Sequence, residues 1–545
     1  MKRLLAAFLT GTVILAATAC SAGETVSEGS AVPSPETAFT TVSGKPKKTT
    51  KKVRTTKTGK ATSSSASSKV RKTTDTAKTT KTTKTTATAK TQPDYEKPWK
   101  EHVSVPGDPT ASGYDDAAAA IRQRVRSTRG SVRVTGTTWY VSPSGDDHNN
   151  GRSKEKAWRS LNGIVQHQTN IRSGDAVLFE CGGVYRYGGG YVYLKSGVYY
   201  GAYGVGEKPC VYGSAQNYAD ATWTDRGDGT WMLEKAFSSD IGNLIFDHGA
   251  HVGYKRDSVE ELKNDYDFCV GHTTKRVILK LSGNPATAFK DIEIPSQGAF
   301  FYMNATEGNV NRDVVVEDLV IKYAGDGITS HGDLNGLTVR NCEFGYLGGP
   351  YLSGFGDGKT RAGNGVTVLG NPSNVLIENC WFYQIYDSAV SFQGFGTVDG
   401  YTVRNCLMEY CGMGAFEYWG STVKKAELSG NLMRFSGWGF GGQQRADKNS
   451  RAAIQSNGKA TGAATNKVAG TFVIKDNVFD QSAYQLINAT SLQNELPVFS
   501  GNTYVQKKGG TLGYYKTAAN IKFDDAVLSA IRETVGDATA TVEFR

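Results

Sequence analysis

Cysteine is scarce in this chain and spaced to little purpose: there are eight in 545 residues, with no CxxC and no Cys/His spacing of a metal site. Neither a zinc ribbon nor a dithiol redox pair is encoded, and no disulfide is assigned. Beyond residue 20 there is no long apolar run, so the body of the chain offers no spanning helix. From 21 to 92 large apolar residues are few, which excludes a packed core there. Acidic residues are missing from one stretch. Residues 45–90 hold 15 Lys/Arg against the single acid Asp75, a balance of +14 in a chain whose total is +10, leaving about −4 elsewhere. The basic pI belongs to that stretch and not to a fold, so nucleic-acid binding, which needs a basic face on a folded domain, loses its support.

What is present begins with an export signal over residues 1–20: Met1-Lys2-Arg3, an apolar run, then Thr18-Ala19-Cys20. Ala19-Cys20 resembles a lipobox, with Cys20 the lipidated residue, although Ala17 stands where Leu is usual; plain cleavage after Ala19 is the alternative. Residues 21–110 form a disordered Lys/Thr-rich linker, with Lys-Thr-Thr recurring at Lys78, Lys81 and Lys84. It suits a tether through an anionic cell-wall polymer, or a solvated spacer. The expected location is extracellular, held at the bacterial membrane by a lipid.

A short pattern then repeats between Val314 and Tyr504: VVVEDLVI, LTVRNCEF, VLIENCWF, YTVRNCLM, AELSGNLM, FVIKDNVF and PVFSGNTY. The fifth residues are Asp318, Asn341, Asn379, Asn405, Gly430, Asp476 and Gly501, separated by 23, 38, 26, 25, 46 and 25 positions. Repeats near 25 residues with β-branched runs and Asn/Gly corners predict one turn of a parallel β-solenoid each. The sixth column reads Leu319, Cys342, Cys380, Cys406, Asn431, Asn477 and Asn502, a thiol stack running into an asparagine ladder. An amphipathic helix after Ser112-Gly-Tyr-Asp115, within 111–136, is expected to cap the open first rung, and a helix near 524–535 to cap the last. The boundaries follow: β-helix over 137–510, C-terminal cap over 511–545.

Trp139-Tyr-Val-Ser-Pro-Ser-Gly-Asp-Asp-His-Asn-Asn-Gly151, Ala157-Trp158-Arg-Ser-Leu161, Ser173-Gly-Asp-Ala-Val-Leu-Phe179 and Tyr200-Gly-Ala-Tyr-Gly-Val-Gly-Glu-Lys-Pro209 resemble the opening region of right-handed parallel β-helix proteins of the pectin lyase-like superfamily. The resemblance, over about 137–505, implies an all-β, single-stranded right-handed parallel β-helix and a polysaccharide lyase or glycoside hydrolase. It does not choose between them, and fold alone does not establish activity.

A second column lies eight residues beyond the first: Asp326, Asp387, Met413, Trp438 and Tyr484, with Asn364 equivalent once an insertion is set aside. Its strands are DGITSHG, NGVTVLG, DSAVSFQG, MGAFEYWG and WGFGGQQ, and insertions 346–363 and 443–470 flank them as two walls of a cleft. Asp326 and Asp387 should lie roughly 9–10 Å apart, near the upper limit for an inverting glycosidase pair; the alternative is that both cap turns. Glu417, in Phe416-Glu-Tyr-Trp419, is a general-acid candidate if it faces outward, or a satisfied core residue if inward. It should lie about 14 Å from Asp387. His331, Tyr386, Gln393, Tyr418 and Trp419 are candidate sugar contacts, and about half the aromatics here should be core.

A lyase would need a Lys or Arg base, for which Arg361 and Arg445 (with Asp447 nearby) are placed, and often Ca²⁺. No acidic cluster marks a metal site, so the cofactor stays open. The sequence thus supports a monomeric carbohydrate-active enzyme on a polysaccharide, with hydrolysis slightly ahead of β-elimination. A non-catalytic glycan-binding adhesin is the other class.

Overall fold

A computed structural model describes residues 109–545 apart from 133, 297–298, 306–308, 353–360, 362, 395, 443–450, 457–465, 490–495 and 517. The export signal, Cys20, most of the linker, Arg445 and Asp447 lie outside the described residues.

The repeat winds into a solenoid with three faces. In each turn a strand on face one, such as Asn311–Glu317, leads through a corner to face two, such as Val320–Lys322. A second corner leads to face three, which opens the long strand Asp326–Arg340. Turn stacks on turn in parallel register: Val314 against Leu337, Leu337 against Val375, Val375 against Tyr401. Among the described residues face two carries ten strands, from Val184–Arg186 to Thr541–Phe544. Apolar residues from all three faces meet in one continuous core, including Val316, Val339, Ile377, Val403 and Ile474 from face one and Ile328, Val366, Val390 and Phe416 from face three.

The first corner explains the fifth column of the repeat. Asp318, Asn341, Asn379, Asn405, Gly430, Asp476 and Gly501 all have φ between 50° and 68°. Only Gly, Asn and Asp adopt this left-handed conformation at low cost. The next column forms the expected ladder. Cys406 N–H donates to Asn431 Oδ1 at 3.0 Å, Asn431 Nδ2 to Asn477 Oδ1 at 2.9 Å, and Asn477 Nδ2 to Asn502 Oδ1 at 3.1 Å. The last rung is closed by Asp537, which accepts from Asn502 Nδ2 at 2.9 Å.

Helix Asp115–Ser127 forms where the sequence expects it but does not plug the first rung. It lies across face two: Arg122 reaches Glu409, Arg126 reaches Glu343, and Arg434 reaches back to Asp115. Ala118 and Val125 pack with Trp381, Tyr383, Leu407 and Leu432. The reason is charge: its arginines match acids buried on face two, which an apolar solenoid end does not offer. The first rung is capped instead by helix Leu161–His167, where Trp158 is stacked between Trp139 (5.3 Å) and His167 (5.1 Å). At the far end Val527, Ile531 and Val535 enter the core beside Phe523.

Residues 213–298 differ from the uniform β-helix expected over 137–510. They leave between Cys210–Tyr212 on face two and Ala299–Asn304 on face three and fold as a largely antiparallel unit. Its own core contains Trp223, Leu233, Phe246, Phe268 and Leu279. Among the described residues no helix is long and apolar enough to cross a membrane.

Candidate functional site

All the long insertions at the corner between faces two and three emerge beside the same strand column. They are 213–298, the segment after Glu343–Leu347, and the segment after Leu432–Ser436. The first two are fastened together. Arg361 lies on the Tyr386 ring at 4.5 Å and donates from Nη2 to Gly242 O at 3.1 Å and from Nε to Gly349 O. Asp240 accepts from Tyr351 N at 2.6 Å and from the buried Lys255. Face three therefore lies beside a built wall.

The strand register settles which side chains look into that space. Ile328, Val366, Val390, Phe416 and Ile454 stack inward, so the alternate column faces out: Tyr193, Tyr302, Thr329, Thr367, Ser391, Glu417, Gln455 and Asn488. Glu417 thus points outward, the first of its two sequence readings. It is nonetheless 3% exposed, and Oε2 accepts from Ser388 Oγ and Gln393 Nε2, each at 3.3 Å. Tyr418, one residue on, points inward among Phe392, Phe416 and Phe472; it is a core residue and not a sugar contact. Tyr386 is buried as well, under Arg361 and beside Phe440. His331, Gln393 and Trp419 stand level with one another at the far end of the face.

Asp326 opens the column and is half-buried. Oδ1 accepts the Asn364 N–H at 2.6 Å, the turn-capping bond that an aspartate at a rung corner can make. Among the described residues its second oxygen accepts no hydrogen bond. Burial pushes its carboxyl up, the Asn364 N–H opposes this, and the Asp387 carboxylate adds to it; the result is about 6. Burial lowers the His331 imidazole below its usual range.

One register assignment shifts. The sequence places Asp387 level with Asn364, but Asp387 N–H donates to Gly363 O (2.9 Å) while Gly365 N–H donates to Ser388 O (3.1 Å). Ser388 is the level residue, and Asp387 sits one position earlier, on the turn. Two strand spacings and one residue separate the Asp326 and Asp387 backbones by about 10 Å. A second shift concerns the last strand of the column. Residues 440–442 of WGFGGQQ form a short helical turn, and the strand beside Gly414–Trp419 is Ala452–Ser456. Gly441 and Gly439 lie so close to the Tyr386 and Tyr410 carbonyls that a Cβ would collide, so this segment hugs the corner and the chain resumes later.

The sequence reading passed over an aromatic group next to these carboxylates. Tyr191 is stacked on Tyr302 at 4.5 Å, Tyr193 stands edge-on to both at 6.0 and 5.7 Å, and His331 lies 5.4 Å beyond Tyr302. The signal was there in glycine-bounded Tyr191-Val-Tyr193, aromatic at alternate positions. Elsewhere, a cavity of about 680 Å³ lies on face one beside Thr128, Arg129, Ser131 and Thr135. Its buried floor, Glu317, is already held by Tyr199, Arg340 and Asn341, and it is remote from the carboxylates. Among the described residues no three His, Cys, Asp or Glu side chains are grouped to hold a metal ion.

The three-faced winding, its turns stacked in parallel register, defines a right-handed parallel β-helix whose third face is walled. No family profile matches the sequence, and no curated protein matches it. Solved structures similar in fold include a glycoside hydrolase (9% identity, TM-score 0.41, 70% of this chain and 94% of that one). They also include a rhamnogalacturonan lyase (13%, 0.37, 68% and 74%) and a Yersinia enterocolitica family 28 exopolygalacturonase (10%, 0.32, 75% and 70%).

Proposed function

We propose that the chain is an exported, surface-tethered enzyme that hydrolyses a polysaccharide along face three. The observation that carries this is Asp326: a half-buried carboxyl raised to about 6, set at the mouth of a walled face, with the charge of a second carboxylate, Asp387, adding to the rise. Two carboxyl groups whose environments differ are the equipment of a glycosidase. Asp326 donates its proton to the glycosidic oxygen as the C–O bond breaks. Asp387 takes a proton from the water that attacks the anomeric carbon. Backbones about 10 Å apart are too far for the roughly 5 Å pair of a retaining enzyme unless both side chains converge, so inversion is the expected outcome. Glu417, three rungs from Asp326 and holding Gln393, positions the sugar. β-Elimination loses ground because Arg361, one of its two candidate bases, is 6% exposed and is spent on bracing Gly242 and Gly349.

The test is incubation of the chain from residue 92 onward with plant, algal and host polysaccharides, reading reducing ends and the ultraviolet absorbance of unsaturated products. New reducing ends without absorbance, lost in Asp326→Asn and Asp387→Asn, are the expected outcome. Absorbance would make the protein a lyase. Binding without cleavage of any polymer would make it an adhesin.

A further inference from the structure

The tyrosines beside Asp326 carry an inference that rests on the reading of face three as a glycan cleft. We propose that Tyr191 and Tyr193, supported by Tyr302 and His331, are a sugar-stacking subsite that continues the cleft from Asp326 toward the first rung, taking the glycan on that side of the bond to be broken.

Four observations support it. Tyr193 is 42% exposed, although an aromatic ring gains by burial, and its ring stands clear while Tyr302, directly beneath in register, is buried. The rings are not loose: Tyr191 lies parallel to Tyr302 within 24°, and Tyr302 is backed by His331, so Tyr191 is held at a set height above the strands. Tyr193 and Tyr302 also belong to the same outward column as Thr329, Thr367, Ser391 and Glu417, which makes the tyrosines and the polar strip one continuous line. Finally, Thr329 is 4% exposed and its hydroxyl has no hydrogen-bond partner, midway between the tyrosines and the Ser391–Thr367 pair. A buried hydroxyl left unmatched is costly unless a ligand or water supplies the bond.

An extended polysaccharide advances by about one strand spacing per sugar, so one chain could meet Tyr193, Asp326 and Glu417 in turn. Pyranose faces present C–H groups, which suit the negative face of a tyrosine ring. Tyr191 lies close to Asp326 in register, since it precedes Val192, which is level with Phe301 and Ile328, and the Asp326 charge adds to burial and Tyr193 in raising its hydroxyl. The stacked sugar would therefore be the one adjoining the acid.

The experiment is affinity electrophoresis of the chain from residue 92 onward in gels containing polygalacturonate, rhamnogalacturonan, xylan or alginate, with melting curves as a check on folding. Tyr193→Ala and Tyr191→Ala should each raise Kd about tenfold on the polymer that retards the wild type. Tyr193→Phe, which keeps the ring, should bind as the wild type does. Asp326→Asn should keep its Kd and lose cleavage. Alanine variants that bind normally would overturn the subsite even if Asp326→Asn were inactive, which would leave the catalytic reading standing. Weak binding by the alanine variants with Asp326→Asn still active would support the subsite and sink the acid assignment. A wild type retarded by none of the four polymers would overturn the subsite.

Discussion

At the scale of single residues, two left-handed columns bracket face two, and only one is written in familiar chemistry. Asn341, Asn379 and Asn405 occupy the first, where a short side chain tolerates positive φ. The second follows five residues later at Tyr323, Tyr346, Gln384, Tyr410, Phe435 and Gln481, with φ between 49° and 61°. Bulky residues there carry roughly 1–2 kcal/mol of strain each. Burial offsets it: Tyr323, Tyr346 and Tyr410 are all buried, and Tyr323 stacks on Tyr346 at 6.0 Å. Asp326 has a stability signature of its own. Its folded pKa, about 6, exceeds the ordinary 3.8, so its stabilising contribution is complete below 3.8 and is lost as pH rises through 6. At pH 7.5 the buried charge costs on the order of 2–3 kcal/mol. Asp326→Asn, whose amide oxygen can still accept the Asn364 N–H, is expected to melt several degrees above the wild type at pH 7.5 and level with it near pH 3.5. Calorimetry at the two pH values checks this; equal melting at both would show that the carboxyl is not raised.

The elements show how buried charge can place a helix. Glu409 is fully buried and accepts from Arg122 Nε and Nη2, at 2.9 and 2.7 Å, and from Trp381 Nε1 at 2.8 Å. Glu343 sits in the same situation: burial pushes it up, but Lys322 and Arg126 outweigh burial and hold it down at about 2. Arg126 also lies over the Trp381 ring at 4.8 Å. Helix Asp115–Ser127 is thus the counter-charge of face two. Arg122→Ala leaves Glu409 buried without its main partner, which should cost about 3 kcal/mol. Hydrogen exchange over 115–127 should rise in step; unchanged protection there would mean that the apolar contacts of Ala118 and Val125 alone hold the helix. The sequence marked the helix by its period but seated it on the open first rung and gave it a Ser112–Asp115 capping box, whereas Tyr114 is the N-cap and carries no side-chain cap bond. A 3.6-residue stripe says which side is buried and not against what.

For the whole molecule, the decisive feature is that several insertions share one corner. Rungs without insertions turn tightly there, bringing Asp387 to the edge of face three, while the longer ones rise beside it. Arg361 joins the 346–363 segment to the antiparallel unit through Gly242, and the buried Asp240–Lys255 pair reinforces the seam. Arg361→Ala should loosen this wall. Cleavage of the preferred polymer is expected to show a KM raised several-fold with kcat changed less than twofold, together with faster proteolysis within 213–298. A fall in kcat with KM unchanged would instead place Arg361 at the reacting bond and revive elimination.

The sequence by itself determined the winding. A period near 25 residues, β-branched strands, Asn/Gly corners and an in-register Asn column admit one solution, because each demand is local and repeats until neighbouring turns satisfy it. It put forward Asp326, Asp387, Glu417 and Gln393 only as candidates, and left the facing of Glu417 open because period-two alternation has no sign until the core is known. Tertiary structure alone decided the rest: that Tyr418 and Tyr386 are buried, that Asp387 lies one residue ahead of its column, that Ala452–Ser456 supplies the strand, and that residues 213–298 build a separate wall. These depend on where loops re-enter a stack and on which charges meet across hundreds of residues. No local pattern in the chain encodes such distances.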